Sequence, residues 1–571
     1  MRRLPEFGCT LLVVMSAAAP LAGQIPQNKQ RGVTPTGSSL PHLMVANPYP
    51  FASQDSAQAV QLGAALRLRM EKVAGNSFQV ITRQQMNDAL GQFGYPVDAI
   101  LPLPVQRNFA TSLQARTLLA STLSRGEGGR YTITARLAGL NDDAGNAVTM
   151  TQSPGQKLED FGNLVADAFG PAVKTSADVK ACFDQRLNAT EKALSAAKKA
   201  VQAMPKNGAA HYCFAMLALD RKTKADSQEA MKHLQEAVAG DPFSLPAWTA
   251  IAAQYEAAGD TTKTVEALKQ MLLIAPTNQP LREQAFKLFI KYEHPEAAEK
   301  AALDGLKLEP TNADLWDLLS NARVYKGDFK GAVDALEQVV ANDSTKADST
   351  FLMKITVMAS QQPDTVRLLK WAHAGARRYP THLGLLQALL SAYTMAGPVD
   401  SAAAVAKRLI AVDTTAVGPA LAVAQQLIQA KRLNDALPLL QFAVAHGDAQ
   451  ARENASALLL NGALPMIQGD PEGAATHLRS VIKTANPTGR FAPIANYYLG
   501  LIILQQIQKV DPEAEKQKSC DLANKEQAML AEADAAVKGG TSYKPEDSAK
   551  FQKYVDGLKP RVASMLKAYC K

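Results

Sequence analysis

From Ser176 to about Pro487 the chain repeats itself, and that period limits the fold more than any single motif. Successive segments close at Ala203-Met-Pro205, Gly240-Asp-Pro242, Ile274-Ala-Pro276, Leu308-Glu-Pro310, Asn342-Asp-Ser344, Arg378-Tyr-Pro380, Val412-Asp-Thr414, His446-Gly-Asp448 and Ala485-Asn-Pro487. These closures are spaced by 37, 34, 34, 34, 36, 34, 34 and 39 residues. Residues 313–345 show the content of one period. Trp316, Leu319 and Ala322 recur at helical spacing, Gly327-Asp328 interrupts, and Ala332, Leu336 and Val339 open a second apolar stripe. Such a helix–turn–helix unit cannot bury its apolar faces alone, so it must stack on copies of itself. Small residues recur where a second helix would crowd the first: Ala193, Ala230, Ala298, Ala332, Ala402, Ala436 and Ala474, with Thr264 in one unit. At 571 residues the chain is also too long for one compact core.

A large residue early in the first helix (A), Gly at the turn and small residues in the second helix (B) resemble the tetratricopeptide repeat. Trp248, Ile251, Ala252, Tyr255 and Gly259 carry the pattern best. Within 313–345, Ser320 and Arg323 stand where a small and an aromatic residue are usual, and extra residues enter 345–380 and 449–487. The resemblance implies a superhelical solenoid whose A-helices line a concave groove for an extended peptide or a helix. Carried over by position, the groove would present Thr249 and Glu256, then Glu283, Lys287 and Lys291, then Asp314, Asp317, Asn321 and Tyr325. This lining is mixed in charge and lacks a dense Lys/Arg cluster. Trp248 and Trp316 read as packing residues, and His211, at the same repeat position, as a core histidine.

Ahead of the repeats, residues 1–23 read as an export signal: Arg2-Arg3, an apolar run from Cys9, and small residues near Ala22-Gly23. Residues 24–41 are expected to be a flexible polar leader. Residues 42–175 have a mixed rhythm, β-α-β-α-α-β-β-β-α. Strands are expected at 42–46, 78–82, 117–123, 131–138 and 147–151, with Gly126-Glu-Gly-Gly129 as a hairpin turn and 158–173 as a closing helix. That order, with the phrases FQVITRQQMNDAL and ARTLLASTLSRGEGGRYTITARLAGLNDDAGNAV, resembles the amino-terminal domain of TolB-like proteins. The resemblance implies a small non-enzymatic domain of bacterial envelope proteins, often set ahead of repeat modules. The expected fold class is therefore an α/β amino-terminal domain followed by an all-α tetratricopeptide-type superhelical solenoid at 176–508. Its last A-helix is expected at 491–508, and a helical cap at 509–571 would be built from two polar helices near 511–538 and 546–570.

With Cys9 in the export signal, four cysteines remain: Cys182, Cys213, Cys520 and Cys570. Three pairings are possible. Cys182 with Cys213, nearly one repeat apart, and Cys520 with Cys570 each read as a local staple, against four unpaired buried thiols. The net charge of +8, or +7 once Arg2, Arg3 and Glu6 leave with the signal, is spread along helices and forms no basic stripe. Nucleic acid is therefore not an expected partner. No metal, nucleophile or phosphate-binding constellation stands out, and no cofactor is expected; Asp142-Asp143 reads as a solvent-exposed turn. No segment after the signal is long and apolar enough to span a membrane. The expected role is a non-catalytic periplasmic or otherwise exported scaffold, free or outer-membrane associated, that holds a protein partner in the repeat groove. An envelope enzyme with an unrecognised site in residues 42–175, and a self-assembling structural subunit, are the alternatives. The oligomeric state stays open.

Overall fold

The computed structural model describes residues 40–221 and 223–570. The expected export signal, and all but the last two residues of the expected leader, lie outside the described residues. Among the described residues no helix is long and apolar enough to cross a membrane. The chain divides into two compact units, one ending at Ala297 and the other beginning at Ala298.

The first unit opens with β1 (His42–Val45), β2 (Tyr49–Pro50), α1 (Ser56–Ala74), β3 (Gln79–Val80), α2 (Arg83–Gln92) and α3 (Leu103–Ser112). Then come β4 (Ala115–Arg125), β5 (Tyr131–Gly139), β6 (Gly145–Thr151) and α4 (Leu158–Ala168). The strands form one sheet in the order β3-β1-β4-β5-β6, with β2 also against β4. β1 runs parallel to β3 and β4, whereas β4, β5 and β6 are antiparallel. Because side chains alternate across a strand, β1 feeds two cores. Leu43 and Val45 join Leu62, Leu66, Phe161 and Ile133 on one face, and Met44 joins Met86, Leu90 and Phe109 on the other. A central strand buried on both faces explains its unbroken apolar run. The β4–β5 hairpin closes where Gly128 and Gly129 hold φ of +73° and +75°, the region that only glycine enters without cost.

The expected closing helix over 158–173 is two helices. α4 ends at Ala168 and α5 (Gly170–Gln185) starts beside Pro171. Proline has no N–H to continue the α4 ladder, so the axis breaks there and α5 becomes the A-helix of the first helix pair. Its B-helix is α6 (Thr190–Ala203), and α7 (Gly208–Arg221), α8 (Lys224–Gly240), α9 (Leu245–Ala257), α10 (Thr261–Ile274), α11 (Gln279–Lys291) and α12 (Pro295–Leu308) follow. Cys182 of α5 is bonded to Cys213 of α7 across 31 residues of chain, and Cys182 is fully buried.

The sheet domain and the first helix pairs are locked together. Arg136 of β5 reaches Asp241, at the end of α8, through Nε at 2.9 and 3.0 Å. Its Nη1 donates to Asp143 Oδ1 at 2.9 Å and its Nη2 to the Asp143 carbonyl at 2.7 Å. Arg107 of α3 adds a bond to the same Asp143 oxygen at 2.8 Å. Asp142-Asp143 is thus not the solvent-exposed turn expected from sequence. Burial pushes the Asp142 carboxyl up, and Asp143 serves two arginines. Beside this cluster, the side-chain amide oxygen (Oδ1) of Asn146 in β6 accepts from Gly208 N at 2.8 Å. Asn207 caps α7 through Ala210 N at 3.0 Å and donates to Thr175 of α5 at 2.8 Å. Backbones approach so closely that a Cβ on Gly208 would sit 2.7 Å from the Gly145 carbonyl, and one on Gly240 2.5 Å from that of Lys206.

The second unit continues with α13 (Ala313–Tyr325), α14 (Phe329–Asn342), α15 (Ser349–Ser360), α16 (Thr365–Arg378), α17 (Leu383–Ala396), α18 (Val399–Val412), α19 (Val417–Gln429), α20 (Leu433–His446), α21 (Ala449–Ala463) and α22 (Pro471–Thr484). Among the described residues of the chain, α5 to α22 alternate as nine A–B pairs in sequence. The extra residues near 345 and 464 form short 3-10 turns, Ser344–Lys346 and Leu464–Gln468. The small residues of the B-helices are the expected ones: Ala332, Ala402, Ala436 and Ala474 are all fully buried.

The last A-helix does not stop near 508. α23 (Phe491–Gln517) runs through Pro512 and is followed by α24 (Cys520–Gly539) and α25 (Pro545–Tyr569). Ile507 and Ala514, on either side of Pro512, are both buried in the core shared with α24, and this burial outweighs the one lost backbone bond. Cys520 is joined to Cys570 across 50 residues. A disulfide closing such a loop is worth about 3–4 kcal/mol through the unfolded chain.

Two predictions follow from these packings. Arg136→Met strands a buried Asp241 carboxylate and is expected to cost about 3–5 kcal/mol in denaturant unfolding. Adding Asp241→Leu removes the stranded charge, so the double variant should be more stable than Arg136→Met alone; additive losses would contradict the lock. In the cap, Glu526 of α24 is fully buried and faces Asp511 and Glu515 of α23 and Arg561 of α25. Burial, then the Asp511 charge, push its carboxyl up to about 7. A raised folded-state pKa means the folded chain holds this proton after the unfolded chain has lost it, so this group's contribution to stability falls as pH rises from about 4.5 to 7. Glu526→Gln is therefore expected to be more stable than the parent at pH 8, by on the order of 1 kcal/mol, with the gap closing toward pH 5 in thermal melts.

Candidate functional site

Each A-helix begins just after the segment closure, and in four units its fourth residue turns back on that closure. His211 Nε2 lies 2.9 Å from the Pro205 carbonyl, Trp248 Nε1 donates to Pro242 O at 3.0 Å, and Trp316 Nε1 donates to Pro310 O at 2.8 Å. Arg282 makes the equivalent contact with Pro276 O. The carbonyl at a helix end has no helical N–H to accept, and a side-chain donor six residues on supplies one. This positional role accounts for both tryptophans, and for a buried histidine and a buried arginine in their place. His211 Nε2 donates to Pro205, so its Nδ1 accepts at 2.9 Å from His233 Nδ1–H, and burial holds His233 down to about 4.

The residues expected to line the groove fall on α9, α11 and α13, and the structure separates them by what they touch. In the first unit Glu256 of α9 is met by α11: Tyr292 donates its hydroxyl at 2.8 Å and Lys291 Nζ lies at 3.7 Å. Burial, helped by Glu256, pushes the Tyr292 hydroxyl up to about 12. Thr249 turns its hydroxyl to the Leu245 carbonyl at 2.8 Å, and Glu283 accepts from Gln279 at 3.1 Å, so both are satisfied within their own helices. Lys287 is exposed.

In the second unit the acids of α13 meet cations from the next A segment. Asp314 pairs with Lys346 just before α15, and Asp317 binds Lys354 of α15 at 2.6 Å while accepting from Asn321 at 3.3 Å. Tyr325, at the end of α13, is 66% exposed. A common rule emerges: an acid on one A-helix is met by a base on the next, Glu256 by Lys291 and Asp317 by Lys354. Position-by-position reading found the acids and Lys291 but missed Tyr292, Lys346 and Lys354, because their partners lie one period away. A scan for opposite charges about 35 residues apart would have found the last pair.

The B-helices carry their own charge cluster. Arg367 of α16 binds Asp334 and Glu337 of α14 at 2.5 Å each, and the Trp371 indole donates to Glu337 at 3.0 Å. Arg367, with Trp371 and Lys370, holds the Glu337 carboxyl down to about 2. The sheet domain holds a cavity of about 10 Å³ lined by Met44, Asn47, Met86, Gln106 and Phe109, room for one water. Arg67 of α1 is buried behind it, donating to Asn47 Oδ1 at 2.9 Å, and burial pushes its guanidinium down to about 10. Among the described residues no group of three or more His, Cys, Asp or Glu side chains is placed to hold a metal.

No protein-family model matches the sequence, and no curated protein matches it. Solved structures do. The Naa15/Naa10 complex bound to HypK-THB is similar over 69% of this chain and 68% of its own at 17% identity, with a TM-score of 0.35. YrrB, described as a TPR protein with an unusual peptide-binding site, is similar over 34% of this chain and 96% of its own at 14% identity, with a TM-score of 0.25. PilF of Pseudomonas aeruginosa is similar over 38% of this chain and 97% of its own at 14% identity, with a TM-score of 0.22. At this level of likeness, what the chain can do rests on its own helices and side chains.

The clasp and the displayed residues should differ in stability. Trp316→Phe keeps the ring and loses the Pro310 hydrogen bond, with an expected cost of about 1 kcal/mol in urea unfolding. Tyr325→Ala removes an exposed ring and should stay within about 0.5 kcal/mol of the parent.

Proposed function

We propose that this protein is an exported, non-catalytic scaffold that holds a protein partner on the A-helix face of a tetratricopeptide-type solenoid. The observation that carries this reading is the run of A–B helix pairs, with Asp314, Asp317, Asn321 and Tyr325 presented together on α13. Polar A-helix residues that are only partly engaged, beside an exposed tyrosine, suit recognition of an extended or helical segment. The lining is mixed in charge, which favours a partner of mixed character over a polyanion.

In this reading the sheet domain is TolB-like and docks an envelope component. Its mixed sheet, parallel through β3, β1 and β4 and antiparallel through β4, β5 and β6, is compatible with that resemblance. Two apolar cores fill it on either side of β1, which supports a docking role over a catalytic one. Disulfides at Cys182–Cys213 and Cys520–Cys570 fit an oxidising compartment, and so support export.

The test is photo-crosslinking in intact cells, with the photoreactive residue at position 321 and identification by mass spectrometry. One dominant protein partner is expected, and its yield should fall at least about tenfold when Asp317→Ala and Tyr325→Ala are combined. Undiminished capture by that folded double variant would overturn the assignment of the groove.

A further inference from the structure

Consecutive B-helices in the second unit meet in two different ways. The seam between α14 and α16 is filled by the Arg367, Glu337, Asp334 and Lys370 charge cluster. The seam between α16 and α18, closed underneath by α17, is not filled. Ala376, Ser401 and Ala404 stand where longer side chains would meet, and they leave an open cleft of about 470 Å³. Its floor is apolar, with Leu389 of α17 and Val405 of α18 buried. At its rim the Tyr393 hydroxyl is bonded to His373 Nε2.

The charge of this cleft is one-sided. Arg377 of α16 and Arg408 of α18 line it, and no carboxylate does. Arg408 makes one hydrogen bond, from Nη2 to the Pro380 carbonyl at 3.3 Å. Among the described residues Arg377 has no ion-pair partner. The acids near them in sequence are engaged elsewhere: Asp364 caps α16 through Arg367 N, Asp413 accepts from Thr415, and Asp400 pairs with Arg432. Each guanidinium carries five donors in a planar fork, so two largely uncommitted forks face a cavity with an apolar floor. The volume lies within the usual range of small-molecule pockets. It is far larger than a bare inorganic anion needs, and the apolar floor gives such an ion nothing.

We propose that the cleft between α16, α17 and α18 is a binding site for a small monocarboxylate with an apolar body. Arg377 and Arg408 hold the carboxylate, and the body lies on Leu389 and Val405. This site lies on the B-helix side of the pairs and is separate from the Asp317–Tyr325 surface, so it stands or falls independently of the scaffold reading.

The test is calorimetric and ligand-observed NMR titration of the full chain with octanoate and 3-phenylpropanoate, each beside its neutral amide. Saturable binding of at least one acid is expected, with at least about tenfold weaker binding of its amide and about tenfold loss in the Arg377→Ala/Arg408→Ala variant. Both arginines are exposed, so that variant should keep its fold by circular dichroism. Ala404→Phe leaves the arginines in place and fills the cleft, and it should also abolish binding. The proposal is overturned if neither acid saturates up to about 10 mM, if acid and amide bind alike, or if either variant binds as the parent does.

Discussion

The first unit depends on one partly buried guanidinium. Arg136 leaves the β5 strand and is bound at once by the turn that follows it and by the end of α8. Asp241 is 1% exposed, so its charge is tolerable only because Arg136 lies against it. An ion pair of this kind adds little net stability over an apolar substitute, but it is demanding about geometry. It fixes where β5 and β6 sit relative to α7 and α8. The Asn146–Asn207–Thr175 network and the close approach of Gly145, Gly208 and Gly240 complete the same joint. The sheet domain is therefore not tethered by a linker to its first helix pairs but is built into them.

Repetition accounts for much of the rest. A chain that must restart a helix about every 34 residues faces the same two problems each time: the bare carbonyl at the end of one helix and the bare amides at the start of the next. The fourth-position donors His211, Trp248, Arg282 and Trp316 solve the first. Side-chain caps such as Ser244, Asn278, Asn312 and Asp328 solve the second. Residues committed to these tasks are not available to a partner. On α13 the side chains outside these tasks are chiefly Asn321 and Tyr325, with Asp314 and Asp317 shared with the next segment.

Most of the element order was legible in the sequence, because each signal was local. Runs rich in β-forming residues marked β4 and β5, glycines marked the hairpin, and Gly327 with Asp328 marked the break between α13 and α14. The errors came at two prolines, Pro171 and Pro512, that the apolar periodicity does not register. Pro171 ends the ladder of the helix expected over 158–173 because it has no N–H, although Phe169, Ala172 and Val173 stay in the same core as Phe161 and Val165. Pro512 does not break α23, since Ile507 and Ala514 are buried on either side. The Asp142-Asp143 turn was misread for a different reason: its partners Arg107 and Arg136 are brought together only by the fold. The same holds for the ion pairs of Asp314 and Asp317, and for the cleft beside Arg377 and Arg408. Charges that meet across a full period leave no short-range trace.

Native-state hydrogen exchange across the first unit tests the joint most directly. If the sheet domain and the first helix pairs are one cooperative body, the slowest amides of β5 and β6 and those of α7 and α8 open with the same free energy and shift together under denaturant. If the strands exchange through a separate, cheaper opening while α7 and α8 stay protected, the two parts are independent and the Arg136 joint does not unite them.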